Sequence, residues 1–498
     1  MEPVVGIVGT GTMGRGIAQI AAASGCRVLL ADAREGAAQE ARSVLAATFA
    51  KLADKGKMSG EEAQAATARL VPVTALSPDL SACMLIVEAI AEEIEAKKSL
   101  FAALEDIVGA DCILASNTSS LSITTIAAGS RHPERVAGLH FFNPVPLMKV
   151  VEVVAGLRTS DATVAHLMEL ARSFGHTPVR VKDTPGFIVN HAGRGYGPEA
   201  LRLLEEGVAD AASIDRILVD QAGFRMGPFE LYDLVGLDIS AAVMETLYAQ
   251  FFHEPRYRPS PLVRARVEAG LLGKKSGQGF YEYEGGRIVR PEEPPIPEAS
   301  PKPVWIADDD TALLDLASSL GAEIDSATPP APGNLILIAP WGEDASSMAA
   351  RMNLDPGRTV AIDPLPGFAQ RRVLMPTPAT RPEFLSSAQM LLAKDGQRVS
   401  IIRDSHGFVS QRVLANIVNI ACDIAQMGIA SPADIDTAVR LGLNYPLGPL
   451  AWGDALGAGN ILTILENLLH NTGEPRWRAS PWLKRRALLG LSLLTEEA

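Results

Sequence analysis

The sequence predicts an α/β chain: a parallel sheet domain followed by an all-helical domain, then a worn repeat of both. Three observations carry this. Residues 3–31 read as apolar strand, glycine turn, alanine-rich helix and second strand. The text from about 188 to 272 is mainly helical. "KDTPGFIVN" at 182–190 returns as "RDSHGFVSQ" at 403–411, 221 positions later.

The bulk numbers bound the rest. A chain of 498 residues with 47% hydrophobic content forms more than one domain. A net charge of −13 argues against nucleic acid or an anionic membrane as partner. Cys26, Cys83, Cys112 and Cys422 are scattered with no CxxC pair, which reads as reduced thiols of a cytoplasmic protein, with no zinc or other metal set. "MEPVVGIVGTG" lacks the marks of a signal peptide. No apolar run approaches the ~18–20 residues that span a bilayer.

Along the chain, a helix is expected from about 13 to 24 and a helical hairpin over roughly 34–68. Strands follow at 84–90, 112–117 and 135–142, and 227–233 reads as a turn. A proline-rich charged stretch is a natural linker. The expected domains are 1–182 (sheet), 183–284 (helical), 285–302 (linker), 303–400 (degenerate sheet) and 401–498 (second helical). Beyond the opening pair, Ile214 and Asp215 match Ile435 and Asp436, and Gly227, Pro228, Asp233 and Gly236 match Gly448, Pro449, Asp454 and Gly457. "EPRYRPSP" (254–261) answers "EPRWRASP" (474–481).

"GTGTMG" sets Gly9, Gly11 and Gly14 in GxGxxG order between a strand and a helix, with Asp32 ending the next strand. Gly9 permits the tight turn, Gly11 the approach of a pyrophosphate, and Gly14 close helix–strand packing. This is the entry to a Rossmann-type sheet, although an ordinary glycine-rich turn also fits. Asp32 favours NAD over NADP; Arg34 blurs the preference. In the second copy Asp308, Asp309 and Asp310 replace the loop, so no dinucleotide is expected there. No histidine lies between His253 and His406, so the second sheet lacks a histidine base.

His140 follows an apolar strand, and Glu152 lies twelve residues on, on another. Oxidising a secondary alcohol needs a base for the hydroxyl proton, and a histidine steadied by a carboxylate suits it. A strand-end histidine and a surface glutamate fit the spacing equally well.

From about residue 4 to 284 the chain resembles the L-3-hydroxyacyl-CoA dehydrogenase family. The matching motifs are "GTGTMGRGIAQ", "EAIAEEIEAKKSLF", "ASNTSSLSIT", "GLHFFNPVPLMKVVEVV", "DTPGFIVN", "GFRMGPFELYDLVGLD" and "GLLGKKSGQGFYEY". The resemblance implies NAD-dependent oxidation of an L-3-hydroxyacyl-CoA, with His140 as base, Glu152 as its carboxylate, and Ser119 and Asn190 holding the reacting oxygen. It implies cofactor contacts at Gly9, Gly11, Thr12, Met13, Gly14, Asp32, Glu92, Lys97, Asn117, Asn143 and Lys275, and a coenzyme A contact at Lys55. One departure lies nearby: the family usually has Arg after the Asn of "GFIVN", and here it is His191. The expected substrate is 3-hydroxybutyryl-CoA. The alternative is 3-hydroxyadipyl-CoA, whose distal carboxylate needs a cation; Arg194 and Arg202 are near the motif. A non-catalytic dinucleotide-binding protein is the reading from another class. Members of the family usually dimerise through their helical domains, so two such domains in one chain imply an intrachain pseudo-dimer, or otherwise a homodimer.

Overall fold

The computed structural model describes residues 2–307 and 310–497, and by packing the chain falls into two compact units, 1–191 with 427–443 and 192–426 with 444–498. Asp308 and Asp309 lie outside the described residues.

The first unit opens with β1 (Val4–Val8), α1 (Thr12–Ala23) and β2 (Arg27–Ala31). The helical hairpin is α2 (Ala37–Asp54) and α3 (Gly60–Ala68), the latter started by a Ser59–Glu62 capping box. Then come β3 (Leu70–Val73), β4 (Leu85–Glu88), α4 (Ile94–Glu105), β5 (Ile113–Ser116) and α5 (Ile123–Ala127). The sheet closes with β6 (Val136–Phe141), β7 (Val150–Ala155), α6 (Asp161–Ser173) and β8 (Thr177–Lys182), before the short α7 (Val189–Ala192). Its order is β3-β2-β1-β4-β5-β6-β7-β8, with every pair parallel except β6 and β7. A central strand such as "VVGIV" is apolar throughout because helices cover both faces of a parallel sheet.

The second unit begins with α8 (Gly197–Glu205), α9 (Ala211–Asp220), α10 (Pro228–Val235), α11 (Leu237–Gln250) and α12 (Pro261–Glu268). The turn expected at 227–233 is the first stretch of α10: Gly227 is its extended N-cap and Pro228 its first residue, a favoured place for proline. A hairpin of β9 (Glu282–Glu284) and β10 (Arg287–Val289) takes up the start of the proline-rich stretch.

The second sheet comprises β11 (Val304–Ile306), α13 (Thr311–Ser319), β12 (Ile324–Asp325), β13 (Leu335–Ile338), α14 (Ala345–Arg351), β14 (Thr359–Ile362), β15 (Arg372–Pro376), α15 (Pro382–Leu392) and β16 (Val399–Ile401). The order β12-β11-β13-β14-β15-β16, with β14 and β15 antiparallel, repeats the first sheet with two strands fewer. It has its own core around Leu313, Leu335, Leu337, Val360, Ile362, Leu374 and Phe384. Last come α16 (Val409–Gln426), α17 (Pro432–Gly442), α18 (Pro449–Leu456), α19 (Ala458–Thr472) and α20 (Pro481–Leu489). Of these, α17 belongs to the first unit.

Within the second unit, equivalent positions of the two helical halves touch each other. Asn416 Nδ2 donates to Gly195 O at 3.3 Å, and Phe224 meets Tyr445 edge-on with centroids 5.2 Å apart. These pairs are 221 residues apart, so each half presents the same patch, the mark of a two-fold interface. At Gly195 a Cβ would stand 2.7 Å from the Ile417 backbone, so only glycine admits α16 there. Beside this contact the Arg412 guanidinium donates to Glu199 Oε1 at 2.8 and 2.6 Å and pairs with Glu206.

Candidate active site

The glycine loop fits a dinucleotide. Gly9 has φ +95°, and a Cβ there would lie 2.6 Å from Ala89 O; a Cβ at Gly14 would lie 1.8 Å from Gly9 O. At Gly11 a Cβ would meet nothing within 4 Å, so this face is open for a phosphate. Gly11 caps α1 without a side chain, and Thr12 and Met13 open its first turn, which leaves the helix N-terminus to an anion. Asp32 accepts from Thr10 N and Oγ1, both at 2.7 Å, and from Arg34 N at 3.0 Å. Burial pushes its carboxyl up, but these hydrogen bonds and the Arg34 charge hold it below the ordinary value. Arg34 itself is paired with Glu40 at 2.7 Å. An anionic Asp32 suits a ribose diol and disfavours a 2′-phosphate.

At the carboxyl ends of β4 and β5, Glu92 gathers one loop. Its Oε1 accepts from Thr118 Oγ1 at 2.6 Å, Ser119 N at 3.0 Å, and Ser120 N and Oγ at 3.1 and 2.9 Å. Burial raises its carboxyl, yet Thr118, Lys97 and Ser120 together bring it below the usual range. Lys97 is fully buried, its ammonium 2.5 Å from Glu88 and 3.3 Å from Glu92. Glu88 was not legible in the sequence, where it reads as part of an apolar strand. It is fully buried and also accepts from Ser116 Oγ at 2.6 Å and Ile90 N at 2.8 Å.

His140 and Glu152 face each other across the antiparallel β6–β7 pair, in register. His140 Nδ1 lies 2.6 Å from Glu152 Oε2. The other oxygen, Oε1, accepts from Ile188 N at 2.8 Å and Val189 N at 2.9 Å. Both side chains are buried, and Phe142 and Phe187 flank the imidazole with ring centroids at 4.4 and 5.7 Å. A carboxylate held this way fixes the Nδ1–H tautomer and leaves Nε2 as the acceptor. Asn190, next along α7, donates from Nδ2 to Ser119 O at 3.4 Å, and Asn117 Oδ1 accepts from Phe141 N at 2.9 Å. These bonds, together with the chain neighbours Phe141 and Val189, link Asn117, Ser119, His140, Glu152 and Asn190 into one network.

The remaining sequence candidates lie outside that network. Asn143 is exposed beside Pro144, and Lys55 is exposed at the end of α2. Lys275 belongs to the second unit, where it pairs with Asp238. Of the two arginines considered for a distal carboxylate, Arg202 is engaged by Glu199 and by the carbonyls of Pro255, Arg256 and Arg258. Arg194 is a second-unit side chain near Tyr232 and Tyr445. In the second sheet Asp310 Oδ1 caps α13 through Leu313 N at 2.8 Å. No described helix is long and apolar enough to cross a membrane.

A GxGxxG loop ending on an open helix N-terminus and, on β6 and β7 of the same sheet, a buried His–Glu pair fit an NAD-dependent dehydrogenase. Family models agree: the NAD binding domain of 3-hydroxyacyl-CoA dehydrogenase matches residues 4–184, and its C-terminal domain matches 186–283 and again 407–493. The chain belongs to the 3-hydroxyacyl-CoA dehydrogenase family and is an NAD-dependent oxidoreductase acting on the CH–OH group of a 3-hydroxyacyl-CoA. It is 42% identical over 97% of both chains to the 3-hydroxyadipyl-CoA dehydrogenase of Escherichia coli K12. A crystal structure of 3-hydroxybutyryl-CoA dehydrogenase from Escherichia coli K12 superposes with a TM-score of 0.86 at 41% identity, covering 98% of this chain and 99% of that one. The 3-hydroxybutyryl-CoA dehydrogenase of Clostridioides difficile is 40% identical over 56% of this chain and 98% of its own length.

Proposed function

We propose that His140 is the general base in the NAD-dependent oxidation of a short L-3-hydroxyacyl-CoA, such as 3-hydroxybutyryl-CoA, to the 3-ketoacyl-CoA. One observation carries this: the buried His140–Glu152 contact, anchored by the backbone N–H groups of Ile188 and Val189. His140 Nε2 takes the C3 hydroxyl proton, and Glu152 stabilises the imidazolium that results. Ser119 and Asn190 orient the C3 oxygen. NAD, when bound, supplies the hydride acceptor. Gly9, Gly11, Thr12, Met13, Gly14 and Asp32 hold its adenosine and pyrophosphate; Glu92, Asn117 and Asn143 serve its nicotinamide half. Lys97 acts through Glu92, and Lys55 meets the coenzyme A. In the His140→Gln variant kcat is expected to fall ~10²–10⁴-fold with NADH binding intact. Near-normal turnover in that variant would remove the base assignment.

A second reading, 3-hydroxyadipyl-CoA as substrate, is favoured by the relative of that name, which matches along nearly the whole of both chains. Comparing kcat/KM for 3-hydroxybutyryl-CoA and 3-hydroxyadipyl-CoA separates the two. Contacts between equivalent helical positions support an intrachain pseudo-dimer in place of a homodimer. Four buried free cysteines suit a reducing cytoplasm.

A further inference from the structure

Helix α17 comes from the second helical half, yet it packs in the first unit on β7 and β8. Ile435, Ala438, Val439 and Gly442 fall at i, i+3, i+4 and i+7, one helix face, and the first three are buried. The segment before it extends the edge of the sheet, since Ile429 O accepts from Lys182 N at 2.9 Å. The same exchange occurs within the second unit, where Val208 O accepts from Arg403 N at 2.8 Å, each residue 221 positions from its counterpart.

The end of α17 reaches the His–Glu pair through one layer of side chain. A Cβ on Gly442 would stand 2.9 and 3.0 Å from the Val189 methyl carbons and 3.4 Å from Val150 Cγ1. Val189 is buried, and its N–H is one of the two that anchor Glu152. Val150 lies two residues before Glu152 on the same strand, and Asn190 follows Val189. A side chain at 442 has no room unless Val189 moves, and Val189 carries Glu152 with it. The degenerate copy shows the contrast. Its Ser410 stands where Val189 does and donates from Oγ to Oε1 of Gln221 at 2.5 Å, and Gln221, from the first helical half, is the counterpart of Gly442.

We propose that Gly442 and α17 are positioning elements for the reaction: the half that has lost its own chemistry sets the His140–Glu152 geometry of the half that keeps it. This rests on His140 being the base. A displacement near 1 Å at such a pair costs up to ~10²-fold in rate. The test uses the full chain. Gly442→Val is expected to lower kcat ~10–100-fold, with the NADH dissociation constant unchanged. The acid limb of the kcat–pH profile is expected to move to lower pH, because a loosened Glu152 supports the imidazolium less. Exchanging bulk across the contact, Gly442→Ala with Val189→Ala, is expected to restore more activity than Gly442→Ala alone retains. If Gly442→Val does not fold, the Ala variants decide, since a loss that Val189→Ala fails to relieve overturns the proposal. A folded Gly442→Val enzyme with normal kcat and an unmoved acid limb also overturns it. If His140→Gln abolishes turnover in parallel, the base assignment survives that outcome.

Discussion

Glu152 spends both oxygens, one on the His140 Nδ1–H and one on two backbone N–H groups. Glutamine is isosteric but brings an N–H₂ to one of those contacts, so either the histidine loses its acceptor or the backbone pair meets a donor. Glu152→Gln is therefore expected to lower kcat ~10²–10⁴-fold while leaving NADH affinity near wild type. Retained kcat would show that the pairing is structural only. Both residues were visible in the sequence, but their meeting was not. Twelve positions separate them, and only the β6–β7 register sets them opposite. Glu88 was hidden for a different reason: a lone carboxylate inside "MLIVEAI" follows no strand period, and its partner Lys97 sits nine residues on, in a helix.

At the scale of elements, the Asp shared by the two repeats has a common task. Asp183 accepts from Ser122 Oγ and Thr124 N at 2.7 Å and from Ile123 N at 3.1 Å, tying the entry of the helical half to the start of α5. Asp404 does the same for α14 through Ala345 N and Ser346. Asp183→Ala is expected to cost about 1–2 kcal/mol, read as a lowered denaturation midpoint. His406 adds a pH dependence to the second copy. Its Nδ1 lies 2.7 Å from Asp344 Oδ2, the N-cap of α14. The hydrogen bond to Asp344 raises the histidine above its ordinary value, burial opposes this, and Asp404 adds to the rise. A histidine raised on folding stabilises fully below its unfolded pKa near 6.5 and loses this as pH climbs through the folded one. Thermal stability is expected to decline over that window, and His406→Asn to flatten the decline; an unchanged slope would show that the pair contributes nothing. The repeat was legible because its glycines and aspartates serve turns and caps. The strands β3, β15 and β16 and the helix α15 were not legible. "LVPV" carries a proline within an edge strand, and the other three have no glycine loop or spaced motif to mark them.

For the whole molecule, the repeats have diverged in a complementary way. The family's arginine after the "GFIVN" Asn is His191 in the first half but persists as Arg412 in the second. Arg412 is buried against Glu199, which is fully buried, and against Glu206. The counterparts of those carboxylates, 221 positions on, are Ile420 and Met427. The first half thus supplies the anions and the second two of the cations, Arg412 and Arg476, while Arg202 of the first half also meets Glu199 at 3.4 Å. Two first halves pairing with each other would set His191 where Arg412 stands and leave Glu199 only its longer contact with Arg202, which disfavours exchange between chains. Arg412→Met is expected to destabilise the fold by about 1.5–3 kcal/mol, because it removes the nearest of the three arginines around Glu199 and leaves Arg202 and Arg476 at 3.4 and 3.5 Å, and adding Glu199→Gln is expected to recover part of that loss. Equal losses in the single and double variants would mean that the ion pair is not what matters. The same logic predicts the mass of a single chain by light scattering across protein concentrations. A two-chain mass, with residues 188–284 of both copies in contact, would show that complementary charges inside the chain do not keep its halves together.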